Sequence, residues 1–310
     1  MLLRLSAIAL NTYRENVRAR LLHGLFALAV ATAGYALVVG AYAFKDTLRV
    51  VSDLGGASIS MYGILVAVVL GATSLHRELE LKTAFPILAR PVSRTEYLVA
   101  KFFGTWLTLL VFVLANCGLL LYAIAALNGV SIQRLVLSAM GLCAVVALVA
   151  SRFRRSRSYL PIGLSVAWFL SGWVLAGSAP DDRGVLVGMT ILALSEIAVV
   201  ISVANIFASF SSPFLSAMLT LGVVVVGRSA DTLAHLPERV FGGVIPRLGR
   251  GIAMVVPNLM VYVPARPLLT GELAGSNVTH YMLSATLMGF GWSVVLLLLS
   301  SLMFQRRDFT

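Results

Sequence analysis

Charge is scarce in this chain. Asp, Glu, Lys and Arg make up 12% of its 310 residues, and the acids are the rarer sign, 13 against 24 Lys and Arg, for a net charge of +11. Hydrophobic residues make up 59%, and the mean hydropathy is +0.93. A soluble domain of this length has no use for so much apolar surface, because a single core stops growing near this size. The bilayer is the solvent that fits. Cysteine is rarer still: Cys117 and Cys143 both fall in apolar stretches, without the spacing of a metal site or the number needed for a disulfide framework. They read as small buried hydrophobes.

Several motifs are missing as well. Without GxxxxGK[ST] the chain cannot cradle ATP phosphates itself. His23, His76, His235 and His280 are scattered, with no HExxH and no metal-ligand spacing, so no metal site is expected. The serines lack a GxSxG elbow, which argues against an intramembrane hydrolase. No basic run is interleaved with aromatics for base stacking, so the positive balance does not point to nucleic acid. In a membrane protein it belongs on cytosolic loops.

What is present is a series of apolar stretches long enough to cross a hydrocarbon core of about 30 Å. They fall near 21–44, 58–75, 101–127, 133–151, 159–178, 185–208, 211–228 and 280–304. The fold class is therefore all-α, a polytopic membrane helix bundle of about eight transmembrane helices in a single domain, 1–310. Arg4, Arg14, Arg18 and Arg20 precede the first stretch, which is too long for a signal-peptide core and reads as a retained span.

The basic residues orient the bundle. Arg77, Lys82, Arg90, Arg94 and Lys101, then Arg152, Arg154, Arg155 and Arg157, then Arg306 and Arg307 fall on the side of the amino terminus. The short opposite loops, 45–57 and 179–184, carry Lys45, Arg49 and Arg183 against Asp46, Asp53, Asp181 and Asp182. The asymmetry places both termini in the cytosol. The segment 229–279 is then outside, despite Arg239, Arg247, Arg250 and Arg266; long loops translocate largely regardless of charge. Its prolines, Pro246, Pro257, Pro264 and Pro267, break any long helix, which predicts short helices at or dipping into the outer interface.

Two polar segments stand out on the cytosolic side. Residues 2–20 set Leu2, Leu5, Ala9 and Tyr13 near one helical face, with Arg4, Asn11, Arg14, Glu15 and Arg18 around the rest, as an interfacial helix on anionic headgroups requires. Residues 75–104 form a charged island between two apolar spans. There Leu75, Leu79, Phe85 and Leu88 can share a helical face, while Arg77, Glu78, Glu80 and Lys82 face water. Ser93 to Glu96 spells a capping box that starts the next span. Such an island is either a solvated loop or a handle for a cytosolic partner.

One acid, Glu196, falls near the middle of a span. Intramembrane carboxylates are costly and face a partner or an aqueous cavity. Glu196 either lines a pathway or exchanges a proton, or it is a structural group bonded to Ser195, Ser202 or a tyrosine of another helix. Asn205, nine residues later, offers a weaker version of the same choice.

NTYRENVRARLLHGLFAL at 11–28 resembles the entry of ABC-2 type transporter permeases, as does the stretch 53–104 that holds the island. SFSSPFLSAMLTLGVVVVGR at 209–228, the PNL at 257–259 and the FQRRDF at 304–309 are similar to the subgroup of gliding-motility and nitrous-oxide-reductase-maturation permeases. The resemblance leaves out roughly 131–182. Members of that family have six spans, so 131–182 would be an extra helix pair.

The resemblance implies a multi-pass permease subunit of a bacterial inner membrane, paired as a homodimer and not itself an enzyme. It further implies an elbow helix at 2–20 with Arg14, Glu15 and Arg18, and a coupling helix in 76–92 with Arg77, Glu78, Glu80, Lys82 and Thr83. An outer re-entrant element would occupy 241–267. The chain would hold no cofactor; ATP and Mg would be bound by a separate cytosolic ATPase subunit. Export of a lipidic or amphipathic substrate is the first expectation. A non-transporting scaffold that passes ATPase work to an extracytoplasmic partner, such as a cofactor-maturation factor, is the alternative. A carrier driven by protons through Glu196 is a third.

Overall fold

The computed structural model describes residues 2–43, 46–80, 93–152, 158–236, 244–272 and 277–305. Among them there is no strand, and twelve α-helices follow one another along the chain. They are α1 (Leu2–Val17), α2 (Arg20–Tyr42), α3 (Thr47–Glu80), α4 (Arg94–Leu127), α5 (Ile132–Arg152), α6 (Leu160–Leu175), α7 (Pro180–Ala208), α8 (Pro213–Arg228), α9 (Ala230–Ala234), α10 (Val244–Val255), α11 (Arg266–Thr270) and α12 (Val278–Gln305). Short 3-10 turns sit at Ala176–Ser178 and Met260–Tyr262.

Seven helices among the described residues are long and apolar enough to cross a membrane: α2, α3, α4, α5, α6 with its 3-10 extension, α7 and α12. The stretch expected as another span, 211–228, forms the shorter α8. Its 16 residues reach about 24 Å at 1.5 Å per residue, less than a hydrocarbon core. Ser212 caps its start, where its side chain accepts from the Leu215 N–H at 3.4 Å, and Pro213 follows in the first turn. The helix ends at Arg228, which is held against a carboxylate at mid-depth.

Other helices run longer than hydropathy suggested. Helix α3 begins at Thr47, α4 at Arg94 and α7 at Pro180, so most of the loop expected at 45–57 is helical. The polar residues that lowered its hydropathy, Ser52 and Asp53, are met by an arginine from a distant segment. At Ser93 the capping box is complete: its side chain accepts from the Glu96 N–H at 3.1 Å, and Glu96 accepts from the Ser93 N–H at 3.0 Å.

Helix α7 is the axis of the bundle. It packs most extensively on α3, then on α12 and α4, and it is buried through most of its length. Close approach of α3 is made possible by small residues. A Cβ on Gly63 would fall 2.6 Å from the Ile197 side chain, and one on Gly71 would fall 2.6 Å from the Ala204 Cβ. In lipid, where apolar side chains gain nothing by leaving the solvent, such backbone proximity is what holds helices together.

The periphery is different. Helix α6 lies on α4 and α5 lies mainly on α6, with no residue of α5 buried. Tyr122 of α4 stacks on Trp168 of α6 at 4.4 Å, and its hydroxyl hydrogen-bonds with Ser138 of α5 and Ser171 of α6.

Helix α1 and the last turn of α12 lie at one end of the bundle, each against the start of α4. Helix α1 packs on the first turns of α4, where Asn16 Nδ2 donates to Thr105 Oγ1 at 3.3 Å and a Cβ on Gly104 would meet the Ala9 carbonyl. Tyr97, one turn into α4, stacks on Phe304 near the end of α12. At the opposite end the described stretch 244–272 packs back on the preceding helices. Leu259 N–H donates to the Gly227 carbonyl at 3.0 Å, and the Tyr281 hydroxyl donates to the Val261 carbonyl, which draws 257–264 down against α8 and α12.

Candidate functional site

Two clusters of paired charges lie on the α3–α7 seam. Glu196 lies on α7, about 24 Å of helix below Pro180. It is fully enclosed, at 0% exposure. Arg228 at the end of α8 grips it from the side: Nε donates to Oε1 at 2.9 Å and Nη2 to Oε2 at 3.0 Å. Ser60 of α3 closes the triangle, donating to Oε2 at 3.0 Å and accepting from Arg228 Nη2 at 2.6 Å. A two-pronged guanidinium contact is the geometry in which an arginine best offsets the cost of a buried carboxylate.

The second cluster lies nearer the outer end. Arg266, at the start of α11, donates through Nη1 to Asp53 Oδ1 at 2.6 Å and to Ser52 Oγ at 2.8 Å. Through Nη2 it reaches Asp182 Oδ1. Arg49 stands 3.9 Å from the other Asp53 oxygen. Burial opposes the charge on Arg266, but the two carboxylates outweigh it and hold its pKa above the ordinary value. One arginine from the returning outer segment thus ties the tops of α3 and α7 together.

Between the clusters is a cavity of about 100 Å³, lined on one side by Asp53, Ala57 and Ser60 of α3 and on the other by Arg228, Tyr262 and Val263. Glu196 is not in its wall, because its oxygens are covered by Arg228 and Ser60. The partners expected for Glu196, Ser195, Ser202 or a tyrosine, are not the ones found. Ser195 and Ser202 instead donate to carbonyls one turn back on α7, those of Ile191 and Ala198.

Asn205 does not join this site. Nine residues at about 100° each turn it to the opposite face of α7 from Glu196. It is buried, its Nδ2 without a hydrogen-bond partner among the described residues.

On the cytosolic side, Arg14, Glu15 and Arg18 of α1 line a concavity of about 480 Å³ together with Asn11. Arg14 also lies over the Tyr159 ring at 4.4 Å, which joins α1 to the start of α6. Tyr13 is buried against α4, and burial pushes its pKa up to about 12. In the coupling region, Arg77, Glu78 and Glu80 fall in the last turns of α3. Lys82 and Thr83, with the rest of 81–92, lie outside the described residues.

Sequence reasoning missed Arg228, Ser60, Asp53, Asp182 and Arg266 as members of a site. Arg228 carried a signal, a lone cation at the end of an apolar run, matched to the lone acid of another. Lys101 was read as a cytosolic loop charge, yet it is buried, and its Nζ donates to the Ser74 carbonyl of α3 at 2.5 Å. Among the described residues no group of His, Cys, Asp and Glu is arranged to hold a metal.

A bundle of stacked apolar helices, seven of them long enough to span a bilayer among the described residues, with charges paired inside, is a multi-pass membrane protein. Residues 18–177 match the model of the ABC-2 family transporter proteins, slightly more than half of the chain, and the chain belongs to that family. The match runs through α5 and α6, which the resemblance seen in the sequence had left out, and stops before α8 and the outer segment that it had included. No curated protein matches the chain at a significant level.

Proposed function

We propose that this chain is the membrane half of an ATP-driven exporter, working as a pair and moved from the cytosol by separate ATPase subunits. The observation that carries this reading is the family match over 18–177, which covers the first spans and the charged island between α3 and α4. The absence of a phosphate-binding loop from the whole sequence agrees with fuel burned in another chain. The cargo is lipidic or amphipathic, since the surface of the bundle around the cavity beside Arg228 is apolar.

The mechanics follow from the packing. Helices α3 and α4 flank the island, and both are tied to α7 and α1 by close contacts and buried hydrogen bonds. A push on the island therefore moves long rigid rods, and it shifts the arrangement of the outer segment that Arg266 ties to α3 and α7. ATP binding biases this two-state element only by favouring one arrangement. A proton-driven carrier is the weaker reading, because Glu196 is shut away by Arg228 and Ser60.

The test is copurification. Co-expressed with its ATPase, the wild-type chain is expected to hold the partner and to raise its turnover, and Glu78→Arg plus Glu80→Arg to lose both. Unchanged retention and turnover in that variant would remove the docking assignment. Uphill transport by the chain alone in liposomes on an ion gradient would remove the whole reading.

A further inference from the structure

The cavity between the two ion clusters has two unlike ends. Arg228 spends Nε and Nη2 on Glu196 and Ser60, which leaves Nη1 with no protein partner among the described residues. Tyr262, a buried residue, contributes to the same wall, with its hydroxyl set beside Gly289 of α12 and Ser195 of α7. Nη1 of Arg228 is a donor for an anion. Across from them Asp53 contributes a carboxylate, of which Oδ1 is held by Arg266 while Oδ2 is only 3.9 Å from Arg49, too far for a hydrogen bond.

The formal charges of the two clusters cancel: Arg228 with Glu196, and Arg49 and Arg266 with Asp53 and Asp182. An anion alone in this space would meet Asp53, and a cation alone would meet Arg228. A group carrying both charges satisfies both ends at no net cost. Of about 100 Å³, the cavity holds a headgroup and excludes an acyl chain. The way out is apolar: Leu54, Ala57 and Met61 form an exposed stripe on α3, and Val225 and Val263 are exposed beside it.

We propose that this cavity is the headgroup site for a zwitterionic amphiphile, its phosphate or carboxylate on Arg228, its ammonium on Asp53, and its chains on the α3 stripe. The inference deepens the amphipathic-cargo reading and rests on it. It gives an expected order of ligands: zwitterionic lipids above anionic ones of the same chain length.

The experiment uses the full chain in detergent micelles, without ATP or ATPase, so that its failure is separate from a failure of the exporter reading. Short-chain phosphatidylethanolamine, phosphatidylglycerol with the same chains, and free phosphoethanolamine are titrated, and binding is read from the rise in Tm with ligand concentration. Phosphatidylethanolamine is expected to bind about tenfold more tightly than phosphatidylglycerol. Ala57→Leu adds bulk at the mouth of the cavity and leaves every residue of both ion clusters in the sequence. It should leave the unliganded Tm unchanged and bring the two lipids to within about twofold. The neutral pair Glu196→Gln with Arg228→Gln should erase the preference as well. Equal or tighter binding of phosphatidylglycerol to the wild type, or a preference that survives in both variants, would overturn the site. Free phosphoethanolamine binding as tightly as the lipid would overturn the lipid as its source.

Discussion

The two ion clusters on the α3–α7 seam are built from the same chemistry and held in different surroundings. At mid-depth a fully enclosed carboxylate is met by one arginine and one serine. Nearer the outer end one arginine serves two carboxylates, and Asp53 keeps 38% of its side chain exposed. The inner pair is a local bargain between two neighbours in the chain fold, α7 and α8. The outer one fastens a returning segment to two distant helices. Burial of the carboxylates sets what each cluster can tolerate: Glu196 is shut from solvent at 0%, although Arg228 is not, and Asp53 is within reach of it.

The largest expected effect follows directly. Arg228→Leu leaves Glu196 enclosed and uncompensated, which should cost about 3–5 kcal/mol of stability in micelles. The double variant Glu196→Gln with Arg228→Leu removes the charge along with its partner and should recover most of that loss. Denaturant or thermal unfolding of the three proteins checks both statements. If the single variant unfolds like the wild type, the mid-depth pair is not what holds α8 against α7.

Arg266→Ala should do less, about 1–2 kcal/mol, because Asp53 can turn to solvent and only hydrogen bonds to partly wet groups are lost. Ionic strength sharpens the contrast. At 1 M salt the Debye length falls to about 3 Å, so repulsion between Asp53 and Asp182 in the Arg266 variant is screened and its deficit should shrink. The Arg228 deficit should stay. A salt response of equal size in both would erase the distinction drawn from burial.

How much of this was legible beforehand differs between backbone and site. Apolar length and the arginine asymmetry were enough for an all-α bundle, since a hydrocarbon solvent forces helices and sets their span. Hydropathy failed where polar residues sit inside helices. Ser52 and Asp53 read as loop because their partners, Arg266 and Asp182, are 214 and 130 positions away from Ser52. The same blindness hid the site. Glu196 was visible as a lone acid in a span, but pairing with Arg228 requires α8 to stop at mid-depth, and an apolar run carries no mark of the depth at which it stops. Lys101 shows the converse, a charge counted with the cytosolic loops that the fold buries against a carbonyl. Patterning reports which face an isolated element presents to its solvent; it does not report which distant polar group will meet it there.

The smallest effect tests whether the inner cluster shapes the cavity beside it. Burial above all, and then the nearby charges of Glu196 and Tyr281, push the Tyr262 pKa from 10.0 to about 12. The fold therefore favours the neutral phenol. Its stabilising contribution is whole below pH 10 and is lost as pH rises from about 10 towards 12, because the unfolded chain ionises first. Tyr262→Phe should flatten the fall in stability across that window while changing neutral-pH stability little. Near-ultraviolet tyrosinate absorbance of the wild type minus the variant should show a single late-titrating phenol. Carrying Glu196→Gln alone into the same measurement should bring that titration earlier, since the carboxylate is gone while Arg228 and the burial remain. If the midpoint does not move, desolvation alone governs Tyr262, and the inner cluster is electrically sealed from the cavity that it borders.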